Sequence, residues 1–130
     1  MILKIDIPML PVSVNAQYNK GGMGVWLTSD ARIYRKAVEV LAQQAVRTQG
    51  WKYAEKGKYI KMVAIYTMPK GCQKDIGNDK ITADALEGIV YQNDNQIVDL
   101  RLIKIFGTNF QQTKILIELT KKTNLCETHL

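Results

Sequence analysis

Leu3, Ile5 and Ile7 alternate with Lys4 and Asp6. This two-residue period predicts a strand with one buried face, ended by Pro8 and Pro11. The following stretch, with Gly21, Gly22 and Gly24 close to Lys20, has no sustained period and predicts a glycine-rich loop or hairpin. The period then changes. Tyr34, Ala37, Val38, Leu41 and Ala45 recur at helical spacing, while Arg35, Lys36, Glu39, Gln43 and Arg47 fall on the other side. Thr28, Ser29 and Asp30 supply a cap and an acidic first turn, and Gly50 supplies the stop. Ile60 to Met68 is rich in strand formers and predicts a strand buried on both faces. Asn78 is placed to cap a short second helix, Asp79 to Glu87, closed by Gly88 at C′. IVYQNDNQ reads as an irregular return. Ile97 to Phe106 is a further strand, with Asp99, Arg101 and Lys104 as its polar points. GTNF forms a turn, and Thr113 to Thr120 alternates once more. The order β-α-β-α-β-β predicts an α+β fold, a single mixed β-sheet with two helices packed on it.

One hundred and thirty residues suit one domain, and 46% hydrophobic residues are enough to build its core. Residues 121–130 carry no pattern and are expected to fray. No apolar stretch has the length of a membrane span, and Lys4 and Asp6 break the opening run that a signal peptide needs. A cytoplasmic protein is the expectation. Cys72 and Cys126 are isolated, and His129 is the sole histidine. These residues build neither a disulfide framework nor a zinc site, and they leave no Ser–His–Asp or Cys–His catalysis. Eighteen Lys and Arg against twelve Asp and Glu give a net charge of +6, which suits a polyanionic partner or simply a soluble basic surface.

The acids are not spread as the bases are. Asp75, Asp79, Asp84, Glu87 and Asp94 fall within twenty residues. Asp75 precedes the second helix and Asp79 opens it; Asp94 lies in the return. A helix of about ten residues spans roughly 15 Å, and the return has the length to run back along it at about 3.3 Å per residue. Asp75, Asp79 and Asp94 can therefore meet. Three meeting carboxylates repel and raise one another's pKa unless a cation lies among them, and an all-oxygen set selects Mg²⁺ or Mn²⁺. The alternative is plain: acids at a helix start favour its dipole, and Asp84 is a solvated mid-helix residue.

GNDKITADALEGIVYQNDNQI, from Gly77 to Ile97, resembles the core motif of the RusA-type Holliday junction resolvases, small endonucleases often carried by prophages. The matching elements are Asp75, Gly77-Asn78, Lys80, Asp84-Ala85-Leu86, Gly88, Ile89-Val90, Tyr91 and Asn93-Asp94-Asn95-Gln96-Ile97. PVSVN at Pro11 to Asn15 is similar to the family's entry motif, and WLTSDARIYRKAV at Trp26 to Val38 to its first helix start. The likeness runs in order over roughly residues 8 to 104. Gly77 stands where many members carry a second aspartate, and Asn93 replaces the first member of an Asp-Asp pair.

The resemblance implies one RusA-like nuclease domain over residues 1–120. It also implies a homodimer that binds branched DNA and cuts four-way junctions by paired nicks with Mg²⁺. Asp75, Asp79 and Asp94 are the implied metal ligands and Lys80 the stabiliser of transition-state charge. Lys20, Arg32, Arg35, Lys36, Lys74 and Lys104 are candidate DNA contacts. Tyr18 or Trp26 would either wedge the junction or pack as hinge residues. Two other readings remain: a nuclease with a broader branched-DNA preference, and a non-catalytic nucleic-acid-binding module. The module would need exposed aromatics on its sheet, where the strands offer Tyr66 and Phe106.

Overall fold

A computed structural model describes residues 1–13, 16–21, 24–72, 74–76 and 80–122. Its elements run β1 (Leu3–Ile7), β2 (Tyr18–Gly21), β3 (Gly24–Leu27), α1 (Ser29–Gln49), β4 (Tyr59–Pro69), α2 (Ile81–Leu86), a single 3-10 turn (Asp94–Gln96), β5 (Ile97–Thr108) and β6 (Gln112–Thr120). The fold is α+β. A four-stranded mixed sheet in the order β1-β6-β4-β5 carries the two helices, and β2 and β3 form a separate antiparallel ribbon. This ribbon is the stretch expected as a glycine-rich loop or hairpin. Trp26 lies across Gly21, where an added Cβ would stand 2.9 Å from its ring. No helix among the described residues is long and apolar enough to cross a membrane.

Helix α1 forms as its pattern predicts. The Thr28 side chain accepts from the Ala31 N–H, and Gly50 closes the helix at φ +70 with its own N–H on the Val46 carbonyl. Tyr34, Val38 and Ala45 are buried, joined by Ala31 and Ala42. They meet Leu3, Ile5 and Ile7 of β1, Ile60 and Met62 of β4, Ile115 and Ile117 of β6, and Ile81, Ala85 and Leu86 of α2 in one core. A smaller cluster of Leu10, Ala64, Tyr66, Met68 and Ile76 fills the far end of β4.

Strand β4 departs from its expectation. Its residues alternate buried and half-buried up to Tyr66 rather than being buried on both faces. The helices cover only the face carrying Ile60, Met62, Ala64 and Tyr66, so Lys61, Val63 and Ile65 look out from the other. β4 pairs in parallel with β5 and antiparallel with β6. The short connection around Asn109 and Phe110 therefore crosses the end of β4 instead of closing a hairpin between neighbours. This layout leaves β5 on an outer edge and places α2 and the return loop between two parallel strands.

Helix α2 begins at Ile81 with Lys80 at its N-cap, which makes no side-chain cap bond. Asn78 and Asp79, expected to cap and open the helix, lie outside the described residues. So do residues 123–130, most of the expected frayed tail. The other end agrees with expectation: Glu87 is the C-cap and Gly88 follows at φ +79.

Candidate metal centre and nuclease site

The return loop after α2 is held by a dense set of hydrogen bonds. Ala54 N–H donates to the Val90 carbonyl (3.0 Å) and Gln92 N–H to the Ala54 carbonyl (3.1 Å). Trp51 Nε1 donates to Val90 O at 3.0 Å. Asn93 accepts from the Asn95 N–H in a capping box whose other half is Gln96 Oε1 accepting from the Asn93 N–H. The buried Gln96 amide lies 2.9–3.2 Å from the carbonyls of Ala54, Glu55 and Lys58. Asn93 and Gln96 thus build the turn that presents Asp94. From the other side, the Tyr34 and Thr82 hydroxyls share a buried hydrogen bond of 2.8 Å that ties α1 to α2.

Asp84 and Glu87 are three residues apart, so they share one face of α2. The return brings Asp94 to that face, and the Asp94 N–H donates to Glu87 Oε1 at 2.8 Å. Carboxylate oxygens of Asp84, Glu87 and Asp94 all lie within 4.8 Å of one another. Partial burial raises the Asp84 pKa, the negative charges of Asp94 and Glu87 raise it further, and Arg35 and Lys80 oppose both. Beneath the group, Tyr91 is fully buried and donates its hydroxyl proton to the Ala83 carbonyl at 2.7 Å. Burial first, then Asp94, Glu87 and Asp84, hold this phenol protonated far above its usual range. Three hard oxygen donors brought this close, with Asp84 resisting ionisation, form a donor set suited to a dication of the Mg²⁺ or Mn²⁺ class.

This group shares one member, Asp94, with the trio expected from the sequence. Asp79 lies outside the described residues. Asp75 is exposed beside the buried Ile76 and falls outside the 4.8 Å group. Asp84, a motif element that the alternative reading makes a solvated helix acid, is half-buried within it, and Glu87, an acid of the same stretch outside the expected ligand trio, joins it. Their i, i+3 spacing was the available signal; what the spacing lacked was the point at which the return loop meets the helix.

The bases divide. Lys80 at the head of α2 and Arg35 on α1 both act electrostatically on Asp84. Arg35 Nε also pairs with Glu39 at 3.2 Å. Arg32 and Lys36 are exposed on α1, and Lys20 is exposed on the β2–β3 ribbon. Lys74 lines a cleft with Leu10, Ser13, Asp30 and Tyr34. Lys104 is exposed on β5 at the register position of Tyr66. Tyr18 and Trp26 keep 44% and 45% of their surface exposed, which leaves both reachable by a partner. Tyr66 is in the core, so of the two aromatics expected for a non-catalytic module only Phe106 is exposed on the sheet. Cys72 is a free, half-buried thiol.

Against known families, the chain matches the model described as endodeoxyribonuclease RusA over residues 8–118. No curated protein matches it. The match spans every element from the β2–β3 ribbon to most of β6, including the acidic helix and its return loop, and so the chain belongs to the RusA endodeoxyribonuclease family, hydrolases of phosphodiester bonds within DNA.

Proposed function

We propose that this protein is a Mg²⁺- or Mn²⁺-dependent resolvase of four-way DNA junctions, acting as a homodimer that nicks two opposed strands. The observation that carries the reading is the meeting of Asp84, Glu87 and Asp94 within 4.8 Å in a chain of this family. These three would hold the cation; Asp75 and Asp79, metal ligands by the family resemblance, precede α2 in the sequence and are further candidates. When bound, the cation supplies an activated hydrolytic water and positive charge against the phosphate.

The chain's own groups prepare the rest. The hydrogen bond from the Asp94 backbone fixes the Glu87 carboxylate through one oxygen and leaves the other available. Buried Tyr91 excludes water from beneath the acids. Lys80 and Arg35 offset the carboxylates' repulsion of an approaching phosphate, and Lys80 stabilises charge that develops as the bond breaks. The spread-out bases Lys20, Arg32, Lys36, Lys74 and Lys104 hold the DNA arms.

The test is a synthetic four-way junction beside a matched linear duplex, with and without Mg²⁺. Paired nicks in the junction alone, lost with EDTA, are expected. Asp94→Asn should lower the cleavage rate at least 100-fold while junction binding persists. Asp84→Asn and Glu87→Gln distinguish the α2 acids from Asp75→Asn as the more damaging loss. Equal inactivity on both substrates from folded protein would refute the proposal, and equal cleavage of several branched forms would favour the broader branched-DNA nuclease.

A further inference from the structure

The turn that carries Asp94 has a second side. Asp94 joins Glu87 and Asp84 of α2, while Asn93 and Asn95, its neighbours in the chain, line a cleft of about 230 Å³ with Lys56, Gln92 and Gln96. Consecutive Cα atoms are about 3.8 Å apart, so the cleft adjoins the acidic group without sharing a side chain with it. Its amides are oriented by the backbone. Gln92 Oε1 accepts from the Lys56 N–H at 2.9 Å, and Asn93 Oδ1 accepts from the Asn95 N–H at 2.9 Å. With each oxygen held on a backbone donor, the NH₂ group is what each side chain leaves to a ligand. Among the described residues neither NH₂ has a hydrogen-bond partner. Lys56 adds an ammonium that forms no ion pair among the described residues. The frame is rigid as well. The Lys58 N–H donates to the Glu55 carbonyl at 3.1 Å, closing a turn with Lys56 and Gly57 at its corner, and Gly57 takes φ +95, which this turn reserves for glycine. The buried Gln96 amide holds the carbonyls of Ala54, Glu55 and Lys58 around that corner. The Lys56 turn and the Asp94 turn are thus one hydrogen-bonded unit, and the amide donors need little reordering to receive a ligand.

We infer that this cleft is a second phosphate subsite. It receives the internucleotide phosphate next to the one at the acidic group, with Lys56 Nζ, Gln92 Nε2 and Asn93 Nδ2 donating to its non-bridging oxygens. This rests on the nuclease reading above and adds the contact that keeps the strand in register over the acids. The chemistry selects an anion, because the lining supplies an ammonium and two oriented amide donors and no carboxylate. A DNA strand supplies that anion at the right interval: successive phosphates advance about 3.4 Å along a duplex axis, so a strand lying over the acids has its next phosphate within reach of the adjoining cleft. The neighbouring carboxylates of Asp84, Glu87 and Asp94 repel a phosphate here until a dication offsets them, so the subsite and the cation support each other.

Four-way junctions carrying a single uncharged methylphosphonate linkage, walked along a strand through the branch point, are titrated against the full chain in Ca²⁺. At one position the neutral linkage should weaken wild-type binding about tenfold, the scale of a charge-assisted hydrogen bond. Lys56→Ala should weaken binding to the unmodified junction by a similar factor and lower the log–log salt slope by about 0.9. It should also abolish the effect of the neutral linkage at that position alone. Gln92→Glu, which keeps an acceptor for the Lys56 N–H, should lose the same coupling. Both residues are exposed, so the circular dichroism spectrum should not change; if Gln92→Glu disturbs the loop, Lys56→Ala keeps every backbone bond and carries the test. Additive losses at every position, or a loss that follows the base instead of the linkage, would overturn the assignment. A junction held with this coupling but never cut would refute the proposed activity and leave the subsite standing; cutting with purely additive losses would do the reverse.

Discussion

Gln96 shows how one buried side chain fixes the geometry of a site it does not enter. Its amide nitrogen is shared among the carbonyls of Ala54, Glu55 and Lys58, and its oxygen receives the Asn93 N–H. Gln96→Ala removes all of these bonds, although the Ala54 and Glu55 carbonyls keep the Gln92 and Lys58 N–H groups, and should cost about 1–3 kcal/mol in urea denaturation, with a further loss of divalent affinity as Asp94 is released. Asp84 makes the opposite kind of contribution. A raised pKa means that the folded state holds the proton more tightly than the unfolded chain. The charged form therefore costs stability above that pKa, and the cost fades as pH falls through it. In EDTA at pH 7, Asp84→Asn should stabilise the protein by a few tenths of a kcal/mol, the scale of a like-charge helix pair. The advantage should shrink in unfolding curves recorded at acidic pH. Added Mg²⁺ should reverse the order by stabilising the wild type alone.

Helix α2 works as an element because both its ends are constrained. Gly88 takes φ +79, and an added Cβ there would meet nothing within 4 Å. The cost of Gly88→Ala is therefore backbone strain alone, about 1–2 kcal/mol, readable as a lowered melting temperature. This end of the helix was legible, as was α1 in full, because caps and 3.6-residue periods are local signals. Strand positions were equally plain, but which neighbours they take was not. β5 and β6 look like a hairpin in sequence, and only the sheet order separates them by β4. The same lack of range explains the site. The family motif pointed to the acidic stretch and to Asp94, yet the pairing of Asp84 with Glu87 and Asp94 depends on where Tyr91 docks against Ala54 and Glu87. No spacing along the chain encodes that docking point. The openness of the second sheet face was hidden in the same way, since Val63 and Ile65 have the composition of buried residues.

Across the whole molecule the net charge of +6 coexists with one acidic focus. Junction affinity should fall steeply with salt, each neutralised phosphate adding about 0.9 to the log–log slope on duplex arms. Lys36→Ala or Lys20→Ala should lower that slope by about one contact's worth in titrations at several ionic strengths. Neither should alter the divalent requirement, since both lie outside the acidic group. The sheet carries a consequence for biosynthesis. Leu3 takes Ile117 as its partner, and β6 is the sole bridge between β1 and β4. A nascent chain emerging from the ribosome must keep β1 waiting, unpaired, until β6, more than a hundred residues later, has been made. The decisive step of sheet assembly thus waits for β6, and a transcript cut short before residue 113 yields a polypeptide with β1 unjoined to β4.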